Sequence, residues 1–323
     1  MALKTALLQI LEEHRDAPVS GQALADRLHV SRAAVWKAMK ALQAEGHRIT
    51  AVTNRGYQLE RDSDVLTPQG IRCRLRPAYR DCAIRVDARV PSTNTQAKKL
   101  AADGEAAPSL LLADGQTAGR GRMGRAFFSP PGTGLYMSVL LRPAVQAEEL
   151  PLVTLAAAAA VCEAVEEAAG VSTRVKWVND ILVDGRKVAG ILTEAVGDLE
   201  SGTMESGGVG IGVNVKTPAD AFPEELRERA GSLLPAQVSR CDLAAGIANR
   251  LLTYADSLPE RRYLEPYRER LAVLGKPVQY KQRERWMTGR AVDLREDGCL
   301  MVEGIGGVAA LRGGEIRMEG EWQ

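Results

Sequence analysis

The sequence predicts an α+β chain in three parts: an N-terminal winged helix-turn-helix over residues 1–62, a mixed α/β body over 66–272 and a compact β domain over 273–323. Three observations predict it. Apolar residues recur at helical spacing through the first 46 positions and then give way to two short extended runs. Strand-like and helix-like stretches alternate through the middle of the chain. From Gly275 onward only short alternating runs remain, one pair joined at Asp297-Gly298.

In the head, Ala6, Leu7, Ile10 and Leu11 define the first helical face. Ser20 is placed to cap a second helix carrying Leu24 and Leu28, and Ser31 to cap a third that ends at Gly46. Val35, Met39 and Leu42 make the inward stripe of that third helix, so Arg32, Trp36, Lys37 and Lys40 fall on other faces. Ile49–Val52 and Tyr57–Leu59 flank Thr53-Asn54-Arg55-Gly56, a hairpin wing with one cation at its tip. Helix order, wing and charge placement predict a DNA surface of Ser31, Arg32, Trp36, Lys37 and Arg55, over the alternative of a helical interaction module with a solvated basic face. The net charge of +1 confines any nucleic-acid contact to such a local surface.

Arg61-Asp62-Ser63-Asp64 reads as a polar link, and the body begins near Thr67-Pro68. Strand Ala83–Val90 runs into Pro91-Ser92-Thr93-Asn94-Thr95 ahead of a helix bearing Ala97, Leu100 and Ala101. Two readings fit Ser92, Thr93 and Asn94: capping of that helix by Ser92, or donation of hydroxyl and amide groups to a polar ligand. The strand Ser109–Ala113 then feeds Asp114-Gly115-Gln116-Thr117-Ala118 and Gly119-Arg120-Gly121-Arg122-Met123-Gly124-Arg125. Glycines bring backbone N–H groups close to a ligand and each guanidinium offers a planar fork of donors, so this segment predicts an anion site rather than a solvated basic loop. Its cations repel one another, which predicts a loop loose when empty and ordered by a polyanion. The match to G-x-G-x-x-G does not signal a dinucleotide fold, because Ala126-Phe127-Phe128-Ser129-Pro130-Pro131 cannot open the helix such a fold needs.

Gly134–Leu141 reads as a strand and Pro151–Ala169 as a helix. Arg174–Val183 reads as one strand with polar Lys176, Asn179 and Asp180 set between Trp177 and Ile181-Leu182-Val183, a pattern that marks a site rather than an exposed edge. A turn at Asp184–Lys187 and a strand Val188–Glu194 follow. In Gly207–Val215 side chains are missing at alternate positions, so another strand or a flat ligand ring approaches at Gly210 and Gly212.

Several chemistries are excluded. His14, His29 and His47 all precede Thr50, so no Ser-His-Asp triad, Cys-His pair or histidine-ligated zinc can form in the body, and no metal ligands are assigned. What remains is arginine, lysine, carboxylate and backbone, suited to charge neutralisation. The five scattered cysteines read as reduced thiols, and the longest apolar run, Leu152–Cys162, is too short to cross a bilayer; a cytoplasmic protein without a membrane partner is expected.

Four motifs occur in order: Gly-Arg-Gly-Arg-x-Gly-Arg, Lys-Trp-x-Asn-Asp, Gly-Arg-Lys-x-Ala-Gly-Ile-Leu and Gly-x-Gly-x-Asn. Together they resemble the biotin protein ligases, and with the winged head the resemblance extends over the whole chain to the bifunctional biotin operon repressor and biotin–[acetyl-CoA-carboxylase] ligase family. The resemblance implies a body of the biotin/lipoate ligase type and a C-terminal SH3-like β-barrel. It implies formation of biotinyl-5′-AMP from biotin and ATP with Mg²⁺, transfer to a lysine of biotin carboxyl carrier protein, and repression at operator DNA with the adenylate as corepressor and a ligand-bound homodimer. By resemblance Ser92, Thr93, Asn94 and Gln116 hold biotin; Arg120, Gly121 and Arg122 face carboxylate and phosphate; and Gly119, in the binding set, and Arg125 share their loop. Lys187 meets the ligand carboxyl or adenylate, Phe127 covers the adenylate where the family often has tryptophan, and Lys176, Asn179, Gly190, Gly210, Gly212 and Asn214 complete the binding set. Arg122 and Lys187 lead the chemistry, and Asp180 takes the acceptor lysine's proton. Met123 and Val178 stand where arginine and proline are common. A lipoate ligase shares the fold and reaction type, while a sensing-only transcription factor would need no cation at Lys187.

Overall fold

The first helices form because their apolar residues share one stripe each, and those stripes close on a single cluster that includes Leu7, Leu11, Leu24, Val35, Met39, Leu42 and Leu59. In the computed structural model, which describes residues 2–142, 150–196, 206–282 and 285–318, these are α1 (Leu3–Glu13), α2 (Gly21–Leu28) and α3 (Arg32–Ala44). The hydroxyl of Ser20 accepts from Gln22 N and that of Ser31 from Ala34 N, the caps that end the helices' N-terminal fraying. The third helix stops at Ala44, short of the expected Gly46, which instead takes a left-handed φ of 93° just past the end. β1 (Ile49–Val52) and β2 (Gly56–Leu59) pair antiparallel, with Asn54 at φ 60° in the wing's turn. Gly56 must lack a side chain, since a Cβ there would lie 2.0 Å from the Val19 carbonyl oxygen.

The polar segment 61–64 is held down, not loose: Arg15 donates to the carbonyls of Glu60, Arg61 and Ser63, and Arg240 reaches the Asp64 carboxylate at 2.9 Å. Near α4 (Pro68–Arg72), Arg74 and Arg15 converge on Glu12 at 2.9 and 2.8 Å. Burial acts to raise the Glu12 carboxyl, but hydrogen bonds from Arg15 and Arg74 outweigh it and hold the group below its usual range. These contacts tie Met1–Asp81 and Gln237–Gly246 into one compact unit; Cys82–Ala236 and Ile247–Gln323 make the second.

The second unit is built on β3 (Ala83–Val90), α5 (Thr93–Ala102), β4 (Ser109–Gln116), β5 (Gly134–Leu141), α6 (Leu150–Ala169), β6 (Arg174–Lys176), β7 (Asp180–Val183), β8 (Arg186–Val196) and β9 (Ser206–Asn214). The sheet runs in the order β3-β4-β5-β9-β8-β7-β6, with β3 and β4 parallel and the other neighbours antiparallel. Period-two alternation sorts β8 between two faces: the Glu194 carboxylate meets Asn94 of α5, whereas Thr193 Oγ1 lies 2.8 Å from Thr154 Oγ1 of α6. Helix α6 buries its run of alanines, which allows a close approach to the sheet. The site described below lies on the α5 face.

One expectation is corrected. Arg174–Val183 is a hairpin rather than one strand, because Lys176 pairs with Asp180 and the chain reverses through Trp177-Val178-Asn179. Trp177 and Val178 are buried inside that turn, so the apolar pattern continues across a reversal and reads as strand.

Helices α7 (Arg240–Asp256) and α8 (Leu264–Arg270) precede β10 (Pro277–Gln282), β11 (Arg285–Leu294), β12 (Leu300–Gly304), β13 (Gly307–Leu311) and β14 (Ile316–Met318). These last five strands form an antiparallel sheet ordered β13-β12-β11-β10-β14, with a bulge in β11 between Ala291 and Asp293. Val278, Tyr280, Ala291, Leu300, Val302 and Ile316 are buried, and the antiparallel sheet is consistent with the SH3-like domain expected here. All five cysteines are free thiols, and among the described residues no helix is long and apolar enough to cross a membrane.

Candidate active site and nucleic-acid surface

Strand β9 is a bare lane on the α5 face, and three neighbours rest on it in turn. A Cβ on Gly208 would stand 3.5 Å from the Ala97 Cβ; on Gly210, 2.3 Å from Asn94 Oδ1; on Gly212, 2.5 Å from the Phe127 ring. The flat groups on the glycines are therefore the protein's own amide and ring, in place of the strand or ligand ring suggested by sequence. Gly210→Ala is expected to destabilise the fold by about 1–3 kcal/mol, because the added methyl must push aside an amide fixed on three sides. Chemical denaturation measures it, and a stability equal to the parent would show that Asn94 is not fixed.

Above this lane lies a cleft that opens to solvent. Ser92, Thr93, Asn94 and Gln116 line part of it, and the first three are buried. Ser92 occupies the N-cap position of α5, but its hydroxyl makes no capping bond, which overturns the capping reading. The cap comes from Gln116, whose Oε1 accepts from Thr93 N at 2.9 Å while its Nε2 donates to Ser129 Oγ at 2.9 Å. Asn94 Nδ2 donates to the Leu192 carbonyl at 2.9 Å and Glu194 Oε2 at 3.0 Å, and Asn94 Oδ1 lies 2.7 Å from Ser138 Oγ. Ser138 is also 2.8 Å from Thr93 Oγ1. These polar side chains are thus locked before any ligand arrives.

The glycine–arginine loop doubles back on itself: Phe127 N donates to Gly119 O at 2.9 Å and Gly121 N to Arg125 O at 2.7 Å. Gly119 admits no side chain, since a Cβ would be 2.4 Å from the Phe127 carbonyl. A single 3₁₀ turn, Arg122–Gly124, stands where a dinucleotide fold would have a helix. Met123, at φ 55°, projects from that turn and is exposed.

The three arginines are not equivalent. Arg120 lies 3.2 Å from Glu194 and Arg125 2.5 Å from Glu315, each with a carboxylate counterion. Arg122 has none within 4 Å among the described residues; it donates to Asn179 Oδ1 at 2.8 Å and to the Gly314 carbonyl at 3.1 Å. Burial pushes its guanidinium below the usual arginine range, and the Asp180 charge only partly opposes this. Arg122 is therefore the loop cation whose charge an incoming anion would relieve most.

Arg122 also begins a chain of contacts. Asn179 Nδ2 donates to Asp180 Oδ1 at 3.1 Å, and that same oxygen lies 2.6 Å from Lys187 Nζ. The β7–β8 register slips between Ile181 and Leu182, which sets Asp180 opposite Gly190, and the Lys187 stem rests close over that glycine. Arg122, Asn179, Lys187, Gly190 and Gly212 all border the cleft, with Arg120, Gly121, Phe127 and Gly210.

Other residues singled out by sequence do not border it. Asn214 is buried and donates to the Gly231 carbonyl at 2.9 Å, which fastens the end of β9. Gly119 shapes the loop from behind. Lys176 acts electrostatically on Glu315, as Arg125 does, and Asp180 reaches the cleft through Lys187. Ser129, Ser138, Glu194 and Glu315 are site-supporting residues that sequence reasoning missed. Parity could have found one of them: Glu194 falls on the same strand face as Gly190 and Leu192.

In the head, Ser31, Arg32, Trp36, Lys37 and Arg55 are all exposed, although Ser31 spends its hydroxyl on the α3 cap. Trp36 is 56 % exposed, and Lys40 Nζ stands 6.0 Å from its ring centroid. A large aromatic ring in water beside cations on a second helix-turn-helix helix is unusual for a purely structural face.

Residues 86–214 match the Biotin/lipoate A/B protein ligase family and residues 4–58 an HTH domain. The chain is 34 % identical over 327 residues to the bifunctional ligase/repressor BirA of Bacillus spizizenii, covering 98 % of both chains. It is 28 % identical to the protein of the same name from Escherichia coli, covering 93 % of this chain and 92 % of that one. Among solved structures, the biotin protein ligase of Aquifex aeolicus in complex with biotin and ATP superposes with a TM-score of 0.62 at 28 % identity, over 73 % of this chain and 99 % of that chain.

Proposed function

The chain belongs to the bifunctional biotin ligase/repressor family, and we propose that it joins biotin to ATP and then to a carrier-protein lysine, with its winged head acting on operator DNA. The observation that carries the catalytic half is the contact chain from Arg122 through Asn179 and Asp180 to Lys187 on the border of one cleft. In the first step a biotin carboxylate oxygen bonds to the α-phosphorus of ATP, the bond to the β-phosphate oxygen breaks, and pyrophosphate leaves. Both partners are anionic, so the step needs cations more than a proton shuttle. Arg122, lacking a carboxylate counterion, binds the converging carboxylate and phosphate oxygens. Lys187 shares that charge from the opposite end of the contact chain.

Biotin's polar ring meets Ser92, Thr93, Asn94 and Gln116, whose existing hydrogen bonds fix the orientation they present. Phe127 covers the conjugate from the loop. Mg²⁺ bound with the nucleotide would neutralise phosphate charge. In the second step the acceptor amine bonds to the acyl carbon, AMP leaves, and a proton departs from nitrogen. Both Asp180 contacts fall on Oδ1, so its Oδ2 can receive that proton.

Incubating the full chain with MgATP and either biotin or lipoate, and measuring pyrophosphate, tests this reading. Release with biotin alone is expected; release only with lipoate, or with neither, contradicts it.

For the head, the adenylate acts as corepressor by favouring a dimer matched to paired half-sites. Operator affinity is expected to rise when biotin and ATP are both present, and equal affinity with and without them would refute the coupling. Lys37→Ala is expected to weaken binding to all sequences alike and to reduce the salt slope by about one. A slope equal to the parent's in a salt titration would remove Lys37 from the phosphate contacts.

A further inference from the structure

Glu194 brings together three elements that the chain sequence keeps far apart. It stands on β8 opposite Gly208 of β9, whose backbone lies under Ala97 of α5. From α5, Lys98 Nζ reaches Glu194 Oε1 at 2.6 Å and Asn94 Nδ2 reaches Oε2 at 3.0 Å. From the glycine–arginine loop, Arg120 Nη2 lies 3.2 Å from Oε1. The Glu194 side chain is only 15 % exposed.

We infer that Glu194 is a positioning residue for biotin: one carboxylate that fixes the Asn94 amide and anchors the arginine loop to α5, setting the shape of the biotin end of the cleft. The inference rests on the ligase reading above. Its first consequence concerns Asn94. Both amide hydrogens are committed to Leu192 and Glu194 and Oδ1 accepts from Ser138, so the Asn94 side chain that lines the cleft is held at three points, of which Glu194 supplies the one charged partner. Its second concerns charge. By pairing with Arg120, Glu194 removes that arginine from competition for the ligand carboxylate and leaves Arg122 to take it.

Glu194 is suited to this as an anion. Burial acts to raise its carboxyl, yet the hydrogen bonds from Lys98 and Asn94, with the charges of Lys98 and Arg120, hold it below its usual range. Glutamine in its place keeps the size and one acceptor but removes the charge that holds two cations.

The test is steady-state kinetics of the full chain with biotin and ATP varied separately. Glu194→Gln is expected to raise the KM for biotin about tenfold while moving the KM for ATP and kcat less than about threefold. Glu194→Asp, which keeps the charge, is expected to recover part of that loss. An unchanged biotin KM, or equal rises for both substrates, overturns the proposal. Should Glu194→Gln lose its fold, Lys98→Met decides, since Lys98 does not border the cleft: a biotin-selective rise of about threefold supports the anchor and no rise overturns it. The parent chain separates the two claims: inactivity of the parent with biotin and ATP defeats the ligase reading, whereas a normal parent with an unaffected Glu194→Gln defeats only the positioning role.

Discussion

Arg122→Ala is expected to slow adenylate formation by about 10²–10³-fold while leaving the melting temperature within about 2 °C of the parent. The size follows from what the guanidinium does before and during the reaction. It is half-buried, burial lowers its pKa, and among the described residues its guanidinium hydrogen-bonds to the Asn179 side-chain oxygen and the Gly314 carbonyl. An anionic transition state gives it the charge partner it lacks, so its contribution is concentrated where negative charge builds. The small stability effect follows because both protein contacts are hydrogen bonds to neutral groups that water can replace at a cleft border. Single-turnover pyrophosphate release measures the first expectation and thermal denaturation the second. A rate within a few fold of the parent would remove Arg122 from the chemistry.

Lys187→Ala is expected to cost more, about 10³–10⁴-fold in the first step, because two things change at once. The cation is lost, and Asp180, which Lys187 meets at 2.6 Å, is left as an uncompensated anion beside an anionic reaction. The sign of that second effect is separable. Adding Asp180→Asn to Lys187→Ala removes the exposed charge and is expected to restore the first step by about tenfold over the single variant, a non-additivity that two independent residues would not show. The same double variant stays poor in transfer to the carrier lysine, since Oδ2 can no longer take a proton. Equal first-step rates for the single and double variants would show that the ion pair does not govern the local charge.

Much of this arrangement was legible in the residues themselves. Helical spacing in the head, caps at Ser20 and Ser31, and the Thr53–Gly56 turn are local signals, and local physics decides them. The absence of a helix after the arginine loop followed from Pro130-Pro131 alone. The bare lane at Gly210 and Gly212 was visible, but its occupants were not: Asn94 and Phe127 arrive from other elements, and no local pattern records which side chain fills a missing one. The same limit explains the loop. Sequence shows Arg120, Arg122 and Arg125 as like charges at similar spacing, whereas their difference comes from Glu194 and Glu315, supplied by strand β8 and by the segment just before β14. The reversal at Trp177-Val178-Asn179 was hidden for the opposite reason, since burying a turn gives it the composition of a strand.

The two halves of the molecule use charge differently. The head keeps Arg32, Lys37 and Arg55 exposed, where they can meet phosphates and respond to salt. The cleft pairs most of its cations internally and leaves Arg122 with neutral partners, so that an anion is drawn to one place.

A crystal structure of the full chain with biotinyl-5′-AMP tests the central claim most directly. The Arg122 guanidinium and Lys187 ammonium are expected within about 3.5 Å of the conjugate's phosphate or carbonyl oxygens, with Arg120 still on Glu194. A complex in which Arg122 and Lys187 point into solvent while the conjugate is held elsewhere would contradict it.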